Sequence, residues 1–198
     1  FPIVNVLALS TLKLLVQERI TLDTADQPVN MPFAVVISPD GKTLYLANAG
    51  SNDLSVIDLA TNQGIAHIYV GANPRGIAIT PDGTRVFVNN VLDGTLSVVD
   101  TKTLAIVETV ILTNIPLAAP ILEGKRIFNS AAAPVLTTDN WISCATCHFD
   151  GMMDKRTWLG FPDGPRNTPS LLGLAQTLPM HWSGDLDELQ DVETTIRD

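Results

Sequence analysis

The chain has 198 residues with a net charge of −9, and 45% of them are hydrophobic against 17% charged, so it has the composition of a folded protein and the length for one large domain or two modest ones. The acidic balance argues against a nucleic-acid partner, whose phosphates demand Lys and Arg patches, and is compatible with docking a basic protein. No stretch approaches the roughly 18 uninterrupted apolar residues needed to cross a bilayer.

In chain order, the first apolar run is Val4–Val16. It is short, carries Lys13 inside it and has no basic segment ahead, so it reads as strand material and not as a signal peptide. From Pro32 to about Leu112 the sequence repeats. "ISPDGKTLYLAN" (Ile37–Asn48) returns as "ITPDGTRVFVNN" (Ile79–Asn90), and "LSVID" (Leu54–Asp58) returns as "LSVVD" (Leu96–Asp100), each 42 residues on. Pro-Asp-Gly triplets supply turns, which makes Asp40 and Asp82 turn formers and not catalytic acids. Between the turns run alternating strands such as Thr43–Ala47 and Arg85–Asn89. Four short strands with a period near 40 describe one blade of a β-propeller. His67 falls in such a strand and reads as a structural or surface residue.

"YLAN" (Tyr45–Asn48) and "FVNN" (Phe87–Asn90) stand where the Tyr-Val-Thr-Asn (YVTN) propeller repeat family has its tetrapeptide, and the surrounding segments resemble that family. Val4–Ile20 reads as a degenerate earlier copy that pairs with Ser55–Val70 once extra residues around Thr24–Met31 are allowed. Propellers close with about four to eight blades, and an open stack exposes strand edges and apolar faces. Further blades, from missing sequence or from other chains, are therefore expected partners. Phe1 begins inside a repeat, which favours a C-terminal piece of a longer polypeptide.

After Ile115-Pro116 the alternation stops, and Trp141, Trp158 and Trp182 all fall in this half. "EGKRIFNSAA" (Glu123–Ala132) and "DLDELQDVETTIRD" (Asp185–Asp198) read as helices, the latter with an N-cap at Ser183 or Asp185 and acids in its first turn. Pro116 and Pro120 punctuate a boundary near residues 113–122. The expected fold is multidomain: a partial all-β propeller of two to three blades over residues 1–115, then a mainly α cytochrome c-like domain over residues 116–198.

That last expectation comes from "WISCATCHFDG" (Trp141–Gly151), which holds both cysteines of the chain. Cys144 and Cys147 lie one helical turn apart, the spacing that carries thioether bonds to the vinyl edges of a haem, and His148 follows as the proximal iron ligand. A zinc site needs four ligands, and only these cysteines with His67, His148 and His181 are at hand. A thioredoxin-type redox pair calls for a parallel α/β context, and a disulfide between neighbours three apart staples almost nothing. One covalent haem c is the expected cofactor.

"GKRIFNSAAAPVLTTDNWISCATCH", then "GPRNTPSLLGL" (Gly164–Leu174), then "HWSGDLDELQD" (His181–Asp191) resemble the haem domains of bacterial di-haem cytochrome c peroxidases and their methylamine-utilisation relatives. The resemblance covers about residues 123–192 and implies a secreted bacterial haem protein. The departures matter. Those peroxidases need two haems, and one Cys-x-x-Cys-His is present; His181-Trp182-Ser183-Gly184-Asp185 replaces Phe-Trp-Asp-Gly-Arg, and Val192 stands where the relatives carry a Gln beside the peroxide pocket. The resemblance places His181 near the distal face and makes it the first choice for the sixth iron position, with Met180 second. Met152 and Met153 follow His148 so closely that the backbone would have to wrap the ring edge for either to serve. An open position is the remaining alternative. Trp182 is expected at the haem, as an electron relay or as packing, and Arg166 as a partner of a haem propionate or as a surface turn residue. The function expected is one-electron transfer in the periplasm or cell exterior, with a redox partner protein such as another cytochrome and the propeller as a docking or assembly platform. The alternatives are a part of a di-haem peroxidase-like oxidoreductase whose second haem lies elsewhere, and a binding module in which the haem senses or stabilises.

Overall fold

The computed structural model describes residues 2–132, 137, 139–161, 164–180 and 183–192. The chain divides into two compact units, the first ending at Ser143 and the second beginning at Cys144.

The first unit opens with short elements: β1 (Ile3–Val4), β2 (Leu7–Ala8), β3 (Lys13–Leu14), β4 (Ile20–Thr21) and the single-turn α1 (Leu22–Ala25). β1 pairs with β4 and β2 with β3. Two complete antiparallel sheets follow. The first takes β5 (Pro32–Ile37), β6 (Thr43–Asn48), β7 (Asp53–Asp58) and β8 (Gln63–Tyr69) in order, and the second takes β9 (Pro74–Ile79), β10 (Arg85–Asn90), β11 (Thr95–Asp100) and β12 (Ala105–Ile111) in order. Each is a meander of four strands, the plan of a propeller blade, and β9 packs on β5 and β6. The expected earlier copy over Val4–Ile20 forms two short ladders instead of a third full sheet.

The turns behave as their residues dictate. Between β5 and β6, Asp40 Oδ1 accepts from the Ser38 hydroxyl (2.6 Å) and the Lys42 amide (3.1 Å), while Gly41 takes φ +73°. The same arrangement returns between β9 and β10, where Asp82 Oδ1 accepts from the Thr80 hydroxyl and the Thr84 amide (3.0 Å) and Gly83 takes φ +72°.

Two apolar clusters hold this unit. Tyr45, Ala47, Leu54, Val56 and Ile68 of the first blade meet Val86, Val88 and Val99 of the second. On the other face of the first blade, Ile20, Leu22, Ala25 and Val29 cover Leu44, Leu46 and Ile57. α2 (Ala119–Asn129) also belongs to this unit. It starts with Pro120 in its first turn, where a missing N–H costs nothing, so that proline begins a helix where the sequence suggested a linker. Arg126 of this helix donates to Asp93 (2.8 Å) and to Leu92 O (3.3 Å).

The expectation of a mainly α cytochrome c-like domain is not met. Among the described residues after 116, α-helix is confined to α2 and the single turn α3 (Cys144–Cys147). The rest comprises the pair β13 (Thr157–Trp158) and β14 (Arg166–Asn167), short 3₁₀ turns and irregular chain, so the described protein is mostly β. The reason is visible in the backbone. Gly151, Gly160, Gly164, Gly173 and Gly184 all adopt positive φ, which breaks this segment into pieces shorter than a stable helix. Of the helix expected over Asp185–Asp198, residues 193–198 lie outside the described residues; before them the chain forms a 3₁₀ turn, Leu189–Asp191, closed by reciprocal bonds between Glu188 and Asp191, and Val192 is helical.

Candidate haem-attachment site

α3 places the first donor set. The His148 amide donates to Cys144 O (3.0 Å), which closes the helical turn Cys144–Cys147, and His148 itself leaves the helical region at φ −103°, ψ 56°. Residues three and four apart share a helix face, which puts Cys144, Cys147 and His148 on one side while Ala145 is fully buried. Both thiols are free and half-buried. Burial pushes the Cys144 thiol up, and burial with the negative charge of Asp154 does the same to Cys147. That is opposite to a redox-active pair, whose attacking thiol is held low. The imidazole Nδ1 of His148 is shielded from solvent.

The chain then turns at once. Gly151 N donates to His148 O (2.9 Å) and Met152 N to Phe149 O (3.0 Å), a tight turn that ends at Gly151 with φ +77°. Leu171 N donates to Gly151 O (2.8 Å), which ties the Arg166–Leu172 stretch to the residues just past His148. Trp158 Nε1 donates to Asp154 Oδ2 (2.9 Å) and Thr168 Oγ1 (3.2 Å), a second tie between the same segments. Burial raises the Asp154 carboxyl, but the Arg156 amide and the Trp158 ring N–H outweigh it and hold the group low. Nothing in the sequence reading assigned Trp158 or Asp154; their spacing of four, opposite "RNTP", is the signal that carries them.

The structure therefore brings Cys144, Cys147 and His148 together. Arg166 lies on β14 opposite Trp158, and its Nη1 donates to the carbonyls of Gly164 (3.5 Å) and Pro165 (3.2 Å). Met180 is buried and bridged to Leu186 through the backbone (2.7 Å), whereas Met152 and Met153 are exposed. His181 and Trp182 lie outside the described residues.

A second polar cluster sits in the first blade. His67 Nδ1 is 2.9 Å from Asp26 Oδ2, and its Nε2 is 3.2 Å from Asp53 Oδ2, close enough for an ion pair though off hydrogen-bond alignment. Among the described residues no group of three or more His, Cys, Asp or Glu is arranged to hold a metal ion.

Residues 19–135, more than half of the chain, match the family model of the cytochrome D1 heme domain. The chain belongs to the cytochrome d1 haem domain family. Membership implies haem binding and a redox-related role, and it is this family that the match covers; the Tyr-Val-Thr-Asn and peroxidase-like resemblances stay readings of short motifs. No curated protein matches the chain. Among solved structures it is similar to Kuenenia stuttgartiensis hydrazine synthase, 30% identical over 41% of this chain and 23% of that one with a TM-score of 0.40. It is also similar to the dihydro-haem d1 dehydrogenase NirN in complex with DHE, 25% identical over 55% of this chain and 22% of that one with a TM-score of 0.42. Each match spans less than a quarter of the solved chain.

The d1-family span and the Cys-x-x-Cys-His motif do not coincide, since the span ends at residue 135. Haem iron takes His, Cys, Met or Tyr. Within the span the one histidine is His67, engaged by two carboxylates, and Tyr45 is buried in the blade contact. The span's other donors of these types are Tyr69, exposed on β8, and Met31, half-buried before β5, so with His67 engaged no histidine of the span is left for a d1-type haem. The donor set at Cys144–His148 fits a covalently attached haem: two protonated thiols and an imidazole on one helix face, with the exposed apolar side chains of Phe149 and Met152 nearby in sequence as surface a porphyrin would cover.

Proposed function

We propose that this d1-family chain is an extracytoplasmic c-type cytochrome that passes single electrons through one covalently bound haem, with residues 1–115 as a docking or assembly platform and residues 116–198 as the haem-bearing portion. The observation that carries the reading is the helical turn that aligns Cys144, Cys147 and His148. When bound, the haem supplies a reversible one-electron couple. The chain's own part would be to hold it: Cys144 and Cys147 through thioether sulfurs and His148 by its imidazole, with the Trp158–Asp154 and Leu171–Gly151 bonds fixing the loop that follows. His181, with Met180 second, is proposed for the sixth position; Trp182 for the haem edge; and Arg166 for a propionate. Haem c attachment occurs outside the cytoplasmic membrane, so periplasm or cell exterior follows from the same reading, and among the described residues no helix is long and apolar enough to cross a membrane.

The blades support a further partner. Phe87, Leu96 and Val110 stand 42 residues after Tyr45, Leu54 and Ile68. The earlier three are buried in the contact between the blades, while the later three are only half-buried. A further blade of the same type is proposed to cover them. The redox partner is proposed to be a protein, such as another cytochrome.

The deciding experiment is a pyridine haemochrome spectrum together with the intact mass of the purified chain. The expected result is one haem c per chain, lost when Cys144 and Cys147 are both replaced by Ala. A chain that matures without bound haem, or with its two sulfurs bridged to each other, overturns the reading. Catalytic turnover of hydrogen peroxide with a reduced cytochrome would replace simple electron transfer by peroxidase chemistry.

A further inference from the structure

We infer that His67 is a structural cation that fastens the residues before the first blade onto that blade, and that it is not an iron ligand although it is the one histidine in the d1-family span.

The geometry decides its protonation. Both ring nitrogens face carboxylate oxygens, Asp26 Oδ2 at 2.9 Å and Asp53 Oδ2 at 3.2 Å, and the three side chains are only 12%, 10% and 1% exposed. Nδ1 is hydrogen-bonded to Asp26 Oδ2, and Nε2 lies at ion-pair distance from Asp53 Oδ2, so an acidic oxygen beside each nitrogen favours a proton on both and an imidazolium ring. A metal-bound imidazole needs a bare nitrogen with a lone pair. The blade adds further bonds to the same groups: Ser55 Oγ donates to Asp26 Oδ2 (2.6 Å), the oxygen that faces Nδ1, and Asn48 Nδ2 donates to Asp53 Oδ1 (2.6 Å) and to Ser55 Oγ (3.0 Å).

The second blade is an internal control. Forty-two residues on, Asn48, Asp53, Ser55 and His67 become Asn90, Thr95, Ser97 and Thr109. Asn90 Nδ2 there donates to Thr95 Oγ1 (3.0 Å) and Ser97 Oγ (2.9 Å), a network without a charge, and Thr109 is exposed. Charges therefore appear where a segment from outside the repeat packs over the last strand. That segment is α1, which packs against β8 and whose following residue is Asp26. The approach is close at Gly64, where an added Cβ would lie 2.9 Å from Ala25 O and 3.0 Å from Asp26 Oδ1. A glycine at this point of β8 lets residues 25–26 reach His67.

The test uses the mature full chain and the variant His67→Gln, which leaves two carboxylates facing each other without a counter-charge. Backbone amide exchange over residues 20–26 is expected to accelerate about tenfold or more, because local opening becomes easier. Haem content and the ferric spectrum are expected to be unchanged. Lost haem, an altered iron spectrum, or unchanged exchange each overturns the inference. Should the variant fail to fold, nitrogen-15 NMR of His67 in the unaltered protein at neutral pH decides instead. Two protonated ring nitrogens support the clasp, and one bare nitrogen refutes it. Failure of haem attachment at Cys144 and Cys147 would leave this readout intact, so the two proposals fail separately.

Discussion

Gly50 offers a substitution whose effect follows from a single close approach. It is buried in the turn between β6 and β7, its amide donates to Asn30 O (2.9 Å), and its carbonyl accepts from Ala131 N (2.6 Å). A Cβ added there would lie 1.9 Å from Asn30 Oδ1, 2.6 Å from its Cγ and 3.0 Å from its Cβ. Rotation of the amide alone does not relieve a clash that reaches the Cβ, so Asn30 must withdraw. Its Nδ2 donates to Trp141 O (2.8 Å) and its Oδ1 accepts from Ser143 Oγ (3.0 Å), so both bonds break. Two such bonds contribute about 1 kcal/mol each, and a buried polar group left unpaired costs about 1–3 kcal/mol more. Alanine returns about 0.4–1 kcal/mol by restricting the unfolded chain, which leaves Gly50→Ala destabilised by about 2–4 kcal/mol in urea unfolding. Gly124→Ala is the matched control: it sits exposed within α2 with nothing inside 4 Å, and it should gain about 0.5–1 kcal/mol. In an Asn30→Ala background the Gly50→Ala cost should shrink, because Oδ1 and Cγ are gone and only the 3.0 Å approach to the Cβ is left. Strict additivity of the two changes, or a Gly50→Ala chain within about 0.5 kcal/mol of the parent, refutes the reasoning.

Stability should also fall in base. Burial alone pushes the His67 imidazole down, but the hydrogen bonds and charges of Asp26 and Asp53 outweigh it and bring it from 6.5 up to about 9. The facing groups are Asp26 from the residue after α1, Asp53 from β7, and Tyr69 on β8, whose ring is edge-on at 5.3 Å. A raised folded value means stabilisation that is complete below 6.5 and lost as pH rises through about 9, worth about 3 kcal/mol at most. Urea midpoints across that interval should drop in the parent and stay level in His67→Gln. Leu54→Ala, at a fully buried position between the blades, should cost about 2–5 kcal/mol in the same assay, while Val107→Ala on the exposed face of β12 should stay within about 0.5 kcal/mol.

The blades were legible because both of their determinants are local. Pro-Asp-Gly turns and alternation of period two repeat at a fixed 42-residue offset, and the strands fall where that pattern puts them. The Cys144–His148 turn was legible for the same reason, since a five-residue spacing on one helical turn needs no tertiary information. The second half misled for a physical cause. Leu186, Leu189 and Val192 have helical spacing, but Gly184 at φ +66° precedes them and the described residues from 185 to 191 form a 3₁₀ turn, Leu189–Asp191, with 193–198 outside the described residues. The His67 clasp was out of reach because its partners come from 41 residues back and 14 residues back in sequence, and the contact is made by tertiary packing of α1 on β8.

The composition of the second unit bears on what completes it. Among its described residues only Ala145, Met180 and Leu186 are buried apolar side chains, while Phe149, Met152, Met153, Leu159, Phe161 and Leu172 stand exposed. A polypeptide with so little buried apolar surface of its own draws much of its order from whatever apolar group packs on it. A porphyrin bonded at Cys144 and Cys147 is such a group, and linkage requires that binding to the folded form raises that form's stability. Limited proteolysis separates this from a haem carried passively. In the doubly substituted Cys144→Ala, Cys147→Ala chain, cleavage within residues 144–192 should accelerate relative to the mature protein, while the blades over residues 32–111, which have their own apolar contact, are cut at the parent rate. Equal cleavage of residues 144–192 with and without haem would mean that this segment orders itself, and its exposed apolar side chains would then need a different occupant.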